Sequence, residues 1–158
     1  MDIRVGKIVN VWKHPESEKL WCEEIDIGNG EIRKIASGLQ QIIPIEGMLN
    51  QSVVVLCNLK AKPLGGFPSH GMVLCAETPD KSVIELITPP AGSLPGDLVF
   101  FEGQGREPPE QLPKKNPWDT VQPALVVDGE GICCWKETPF KTETGICTAK
   151  TIRNGVIH

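Results

Sequence analysis

The sequence has no tyrosine, and aromatic residues make up only 5% of it. An extended track of stacking aromatics, one route to single-stranded nucleic acid, is therefore not expected. No run of 18 apolar residues occurs, which argues against a membrane-spanning helix. No basic segment leads into a short apolar one, so no secretory signal peptide is expected. The six cysteines include no Cys-x-x-Cys pair, which argues against a zinc ribbon. A basic excess is also lacking: sixteen Lys and Arg stand against twenty Asp and Glu, for a net charge of −4. Nucleic-acid-binding domains usually carry a basic footprint, so any such footprint here must be local.

Nothing in the chain is arranged for catalysis. Glu23-Glu24, and Glu107 near Glu110, surround no nucleophile or metal cluster. Gly103-x-Gly105 lacks the strand and helix that flank a phosphate loop. His14, His70 and His158 are not spaced as partners. The chain is expected to be a binding module, not an enzyme, with no cofactor and no metal.

What is present is a strand-rich pattern. The 158 residues suit one domain, and 40% hydrophobic content can fill a modest core. Fourteen prolines and sixteen glycines act as punctuation between short Val- and Ile-rich runs. Ile3 to Trp12 reads as a first strand, with Gly6 as a bulge or tight bend. Leu20 to Ile27 and Glu31 to Ser37 flank a Gly28-Asn29-Gly30 hairpin turn. Gln40 to Asn50 is less regular, with a short helix expected after Pro44. Ser52 to Leu59 is a continuous apolar strand, expected to be central. Gly71 to Ala76, Val83 to Ile87 and Leu98 to Phe101 complete the set, the last after a proline-glycine turn cluster at Thr88 to Asp97. Many short strands with close turn signals point to an all-β barrel or sandwich.

Composition changes at Glu102. Residues 1–101 form the expected main domain. Residues 102–158 begin with a connector and then carry Lys114-Lys115, Trp118 and short strands near Leu125 to Val127, Ile132 to Trp135 and Ile146 to Thr148. This block is too small for a core of its own and should pack on the first. Cys22, Cys57 and Cys75 lie in apolar runs, where a reduced cysteine is a small hydrophobe. Reduced structural thiols are expected for all six. The strand-like opening Met1-Asp2-Ile3-Arg4 suggests a segment of a longer protein.

Several pieces, in one order, carry a resemblance. They are Arg4-Val5-Gly6-Lys7-Ile8, His14-Pro15, Leu20 to Gly28, Ser37-Gly38-Leu39, Asn58-Leu59-Lys60, Ser69-His70-Gly71-Met72 and Pro89 to Asp97. Together they resemble the tRNA-binding domain of endothelial-monocyte-activating polypeptide II, which is also appended to several aminoacyl-tRNA synthetases. The resemblance implies a five-stranded OB-fold barrel with a small C-terminal extension packed on it. In that family the extension imitates the dimer interface of shorter relatives, which implies a monomer. The implied partners are tRNA and a parent or associated synthetase, in the cytoplasm, with no membrane. The module would raise a synthetase's affinity for tRNA. The alternative is a cytokine-like signalling or protein-interaction domain, for which the matching segment is Arg4, Val5, Gly6, Lys7 and Ile8. The ending Arg153 to His158 resembles the family's natural C-terminus.

The implied tRNA-binding residues are Lys60, Lys62, Ser69, Met72, Asn58, Arg33 and Lys34. Each has a plainer account. Lys60 and Lys62 could be phosphate contacts or ordinary solvated lysines. Ser69 could meet a phosphate or a ribose 2′-OH, or form a turn. Met72 could be core, or an apolar platform for a base. Arg33 and Lys34 split across two strand faces and suit a solvated edge. Trp12 and Trp21 could stack on bases, but large aromatics in strands favour the core. The chain departs from the family at Pro63-Leu64-Gly65-Gly66, where Lys-Met-Arg-Gly is usual. Two cations are missing from the loop expected to meet the phosphate backbone.

Overall fold

The computed structural model describes residues 2–58, 62–101, 118 and 121–158, with only the main chain of Lys62. The first sheet contains β1 (Ile3–Lys13), β2 (Trp21–Asp26), β3 (Ile32–Ser37), β4 (Ser52–Leu56), β7 (Met72–Val73) and β10 (Leu98–Val99). Its order is β3-β2-β1-β4-β7, with β10 paired to the start of β1. The β7 strand also lies alongside β3, so five strands curl into a nearly closed, OB-fold-like barrel. The expected helix after Pro44 is one 3₁₀ turn, Ile45–Gly47, between β3 and β4.

Two apolar clusters explain the strand composition. In β4, Val53 and Val55 face the barrel interior with Ile25, Ile35, Met48 and Val73. Val54 and Leu56 face the opposite way, towards Ile3, Val5, Leu74 and Val99. A strand buried on both faces must be apolar throughout, which is why Ser52 to Leu56 shows no alternation. β1 divides its labour along its length. Ile3 and Val5 join the outer cluster, whereas Ile8 and Val11 join the barrel interior. Ile8 turns inward by ordinary alternation, and a bulge between Ile8 and Asn10 then brings Val11 to the same face. Gly6 is therefore not the bulge the sequence suggested. Its role is close approach: a Cβ there would lie 2.8 Å from Ile25 Cγ2.

The single strand expected over Gly71 to Ala76 is broken at Leu74. β8 (Cys75–Glu77) leaves the barrel for a second sheet with β9 (Ile84–Leu86), β11 (Leu125–Val127), β12 (Cys133–Trp135), β13 (Thr138–Pro139) and β16 (Val156–Ile157). The order is β13-β12-β11-β16-β8-β9. The late strand β16 thus sits between β8 from the first block and β11 from the second. The outer cluster is shared in the same way: Leu56, Leu74, Ala76 and Ile87 meet Leu125, Phe140, Cys147 and Ile157. The extension packs on the barrel. Two small hairpins complete the strands: β5 (Lys62–Leu64) with β6 (Phe67–Ser69), and β14 (Lys141–Thr142) with β15 (Gly145–Ile146).

All six cysteines are free and buried. Burial pushes the Cys57, Cys75 and Cys147 thiols up to about 12. They are inert packing groups at neutral pH. Among the described residues, no helix is long and apolar enough to cross a membrane.

Candidate nucleic-acid interface

The segment between β4 and β7 carries most of the residues that the resemblance singled out. Lys60 lies outside the described residues, as do Lys114 and Lys115. Much of the remainder is the β5–β6 hairpin, with Lys62 opposite Ser69, Pro63 opposite Pro68 and Leu64 opposite Phe67. Its tip is Gly65-Gly66, with φ of 56° and 82°. Positive φ at both central residues is what a two-residue type I′ turn requires. Gly-Gly between two short apolar runs was a readable hairpin signal in the sequence.

This hairpin is held at root, side and tip. At the root, Ser69 Oγ accepts a hydrogen bond from Ala36 N at 3.0 Å and donates to Gly71 O at 3.2 Å. The His70 amide donates to Lys34 O at 2.9 Å. Arg33 Nη1 donates to the carbonyls of both Cys57 and His70, so one guanidinium joins the two ends of the segment. Its Nε meets Glu31 Oε2 at 2.5 Å. Along the side, the Phe67 ring packs edge-on with Trp12 at 5.9 Å and 75°. At the tip, Gly65 rests on His14: a Cβ would lie 3.0 Å from Nε2. His14 is itself fixed, since its Nδ1 accepts from Glu16 N and Ser17 N at 3.0 Å each.

The candidate residues therefore divide. Lys34 is exposed on β3. Arg33 is half-buried and committed to two carbonyls and Glu31. Ser69 is buried, and its hydroxyl is used within the fold. Asn58 is buried too, its Oδ1 accepting from Asp2 N at 2.9 Å. Met72 is half-buried against the outer cluster, opposite Leu56. Trp21 lies in the barrel core and donates through Nε1 to Ile43 O at 2.9 Å. Trp12 belongs to neither apolar cluster. Of the Arg4-to-Ile8 segment, Val5, Gly6 and Ile8 are buried and Lys7 is exposed. Arg4 is half-buried and makes a two-pronged pair with Asp2, both bonds 2.8 Å. That pair raises the Arg4 pKa further. Sequence reasoning did not find the double carbonyl clamp by Arg33, because backbone acceptors leave no trace in residue identity.

Residues 3–98 match the family model described as "Putative tRNA binding domain". The chain belongs to this tRNA-binding-domain family. The resemblance to the endothelial-monocyte-activating polypeptide II type is likewise shown. The chain is 41% identical, over 99% of its length, to aminoacyl tRNA synthase complex-interacting multifunctional protein 1 of Cricetulus griseus, of which it covers 44%. It is 45% identical, over its whole length, to the cytoplasmic methionine–tRNA ligase of Arabidopsis thaliana, of which it covers 20%. It thus spans less than half of each of these two relatives. The solved C-terminal domain of Plasmodium vivax p43 superposes with a TM-score of 0.92 at 34% identity, covering 99% of this chain and 96% of that one. The match to p43 includes the extension, whereas the family model ends at residue 98 within the first block.

Proposed function

We propose that this chain is a non-catalytic tRNA-binding module that raises the tRNA affinity of an aminoacyl-tRNA synthetase, either as part of the same polypeptide or through an associated factor. It works in the cytoplasm as a monomer and needs no cofactor. The observation that carries this reading is the clamped β5–β6 hairpin of a tRNA-binding-domain chain. Arg33, Ser69 and His14 fix the hairpin before any ligand arrives, so little ordering entropy remains to be lost on binding. Lys62 is its first residue, Lys60 comes two positions earlier in the sequence, and Lys34 is exposed beside its root. These cations would meet phosphates. Met72 would offer its half-exposed side. Ser69 and Asn58 would act by holding the segment. A tethered module of this kind needs only modest affinity, because linkage turns the second contact into an intramolecular one. The cytokine-like alternative is not favoured: most of its segment is buried within β1.

The test is tRNA titration at several salt concentrations. The slope of log affinity against log salt should be about −2 to −4, as for a few neutralised phosphates. Lys60→Ala with Lys62→Ala should weaken all tRNAs alike, since phosphate contacts carry no sequence information. Adding cations at exposed positions, Pro63→Lys with Leu64→Arg, should strengthen binding and steepen the slope. If neither change alters affinity, this segment is not the tRNA site.

A further inference from the structure

Eight aromatic side chains occur in the chain. Trp21 fills the barrel, while Phe101, Trp118, Trp135 and Phe140 pack in or on the outer cluster, and Phe100 is buried. Trp12 and Phe67 are different. Both are half-buried, and both stand outside the two clusters. Their ring contact is with each other, at an interplanar angle of 75°. In such an edge-to-face pair, the ring that offers its edge keeps both faces clear of its partner. The hairpin residues on either side of Phe67 carry no charge. Pro63, Leu64, Gly65, Gly66 and Pro68 are all exposed and uncharged. A Cβ on Gly66 would meet nothing within 4 Å, so the main chain at the tip is open to a flat ligand.

We propose that Trp12 and Phe67 form a nucleobase-stacking site, which takes one unpaired base of a bound RNA. The inference rests on the tRNA-binding reading and deepens it. The hairpin tip offers no cation between Pro63 and Pro68, so it cannot hold phosphate by charge. It offers aromatic surface in a fixed position, and every base has a face that can stack on it. An apolar peptide would also tolerate such a patch. The base is favoured because Trp12 on β1 packs against Phe67 on the clamped hairpin, and Lys34 is exposed beside that hairpin's root, so one RNA would meet a cation and the rings together.

The experiment compares Phe67→Leu and Trp12→Leu with Phe67→Tyr and Trp12→Phe in the whole chain. The leucine variants keep apolar bulk and remove the ring; the aromatic variants keep the ring. Affinity for tRNA is measured at several salt concentrations, alongside thermal melting. The expected result is a loss of about 5- to 150-fold for each leucine variant, the range for one stacked base. The salt slope should stay unchanged, because no phosphate contact is removed. The aromatic variants should bind within about 3-fold of the parent. A short single-stranded RNA should compete with tRNA for the parent better than a blunt duplex of equal length, and that advantage should vanish with Phe67→Leu. The proposal is overturned if the leucine variants bind tRNA as the parent does, an outcome that leaves the tRNA reading intact. It is overturned if the slope becomes shallower along with the affinity, or if the aromatic variants lose binding equally, since both mark a collapsed hairpin. If Phe67→Leu spares tRNA and abolishes association with a co-purifying synthetase, the patch belongs to a protein and the proposal falls. A parent chain that binds no tRNA at all would remove the functional reading itself.

Discussion

The Glu23 carboxylate and the Ser37 hydroxyl are both buried on neighbouring strands of the barrel, and neither has a hydrogen-bond partner among the described residues. Glu23 lies opposite Val11 on one side and Ile35 on the other, both members of the interior cluster. Burial pushes its pKa up to about 8, and the nearby Ser37 hydroxyl tempers the rise without meeting hydrogen-bond geometry. Burial thus favours the neutral, protonated carboxyl in the folded chain at pH 7.

That arrangement predicts stability that falls as pH rises. Unfolded, Glu23 releases its proton near pH 4.5; folded, it keeps it to about pH 8. Between these values the folded state binds the extra proton, so its contribution is complete below pH 4.5 and is lost through pH 8. The slope should be on the order of 1 kcal/mol per pH unit. Glu23→Gln should flatten the melting temperature across pH 5–8 relative to the parent. An unchanged pH profile in Glu23→Gln would show that the carboxyl is not the source.

Arg33 should matter more for the hairpin than for direct contact with RNA. Arg33→Ala removes donors to Cys57 O and His70 O, at a cost of about 1–3 kcal/mol. Limited proteolysis should then cut within the β5–β6 hairpin, between residues 62 and 70, where the parent resists. Affinity for all tRNAs should fall together. Arg33→Lys should not rescue, because an ammonium lacks the planar fork that serves two carbonyls and Glu31 at once.

The two tip glycines should not be equivalent. Both have positive φ, so any side chain there is strained by about 1–2 kcal/mol. Gly65→Ala also drives a methyl to 3.0 Å from His14 Nε2, whereas Gly66→Ala enters open space. Thermal melting should rank Gly65→Ala below Gly66→Ala. Equal melting temperatures would mean that the hairpin does not rest on His14.

Residues 1–101 alone should associate or precipitate. Without the later block, Leu56, Leu74, Ala76 and Ile87 lose the cover of Leu125, Phe140 and Ile157. An apolar face of that kind is not stable in water. Sedimentation of the whole chain at micromolar concentration should give a monomer, and of the truncated chain larger species. A monodisperse, soluble truncation would contradict this.

Much of the barrel was legible because its signals are local. Gly28-Asn29-Gly30 marks the β2–β3 hairpin, and the unbroken run from Ser52 marks a strand covered on both faces. The break at Leu74 was not legible, since both its neighbours are equally apolar; what divides them is which sheet each joins. β16 was missed for the same reason: two residues, Val156 and Ile157, are strand only because β8 and β11 lie on either side. At the candidate site, residue types were visible but their use was not. Ser69 looks the same in sequence whether its hydroxyl meets a ribose or Ala36 N. Trp12 looks like core until the bulge after Ile8 and the placement of Phe67 are known.

The place of β16 also has a consequence in time. Val156 pairs with Glu77 and also with Val126, so the second sheet is continuous only once the last of these has been made. Val156 follows Glu77 by roughly eighty residues, so at about 5–20 residues per second β8 waits roughly 4–16 s during synthesis with one edge open. The barrel can close much earlier, because β1 to β7 are complete by residue 73. The nascent chain therefore carries a finished half and an unfinished one. It is during that interval that a ribosome-associated chaperone, or an unwanted neighbouring strand, would find it.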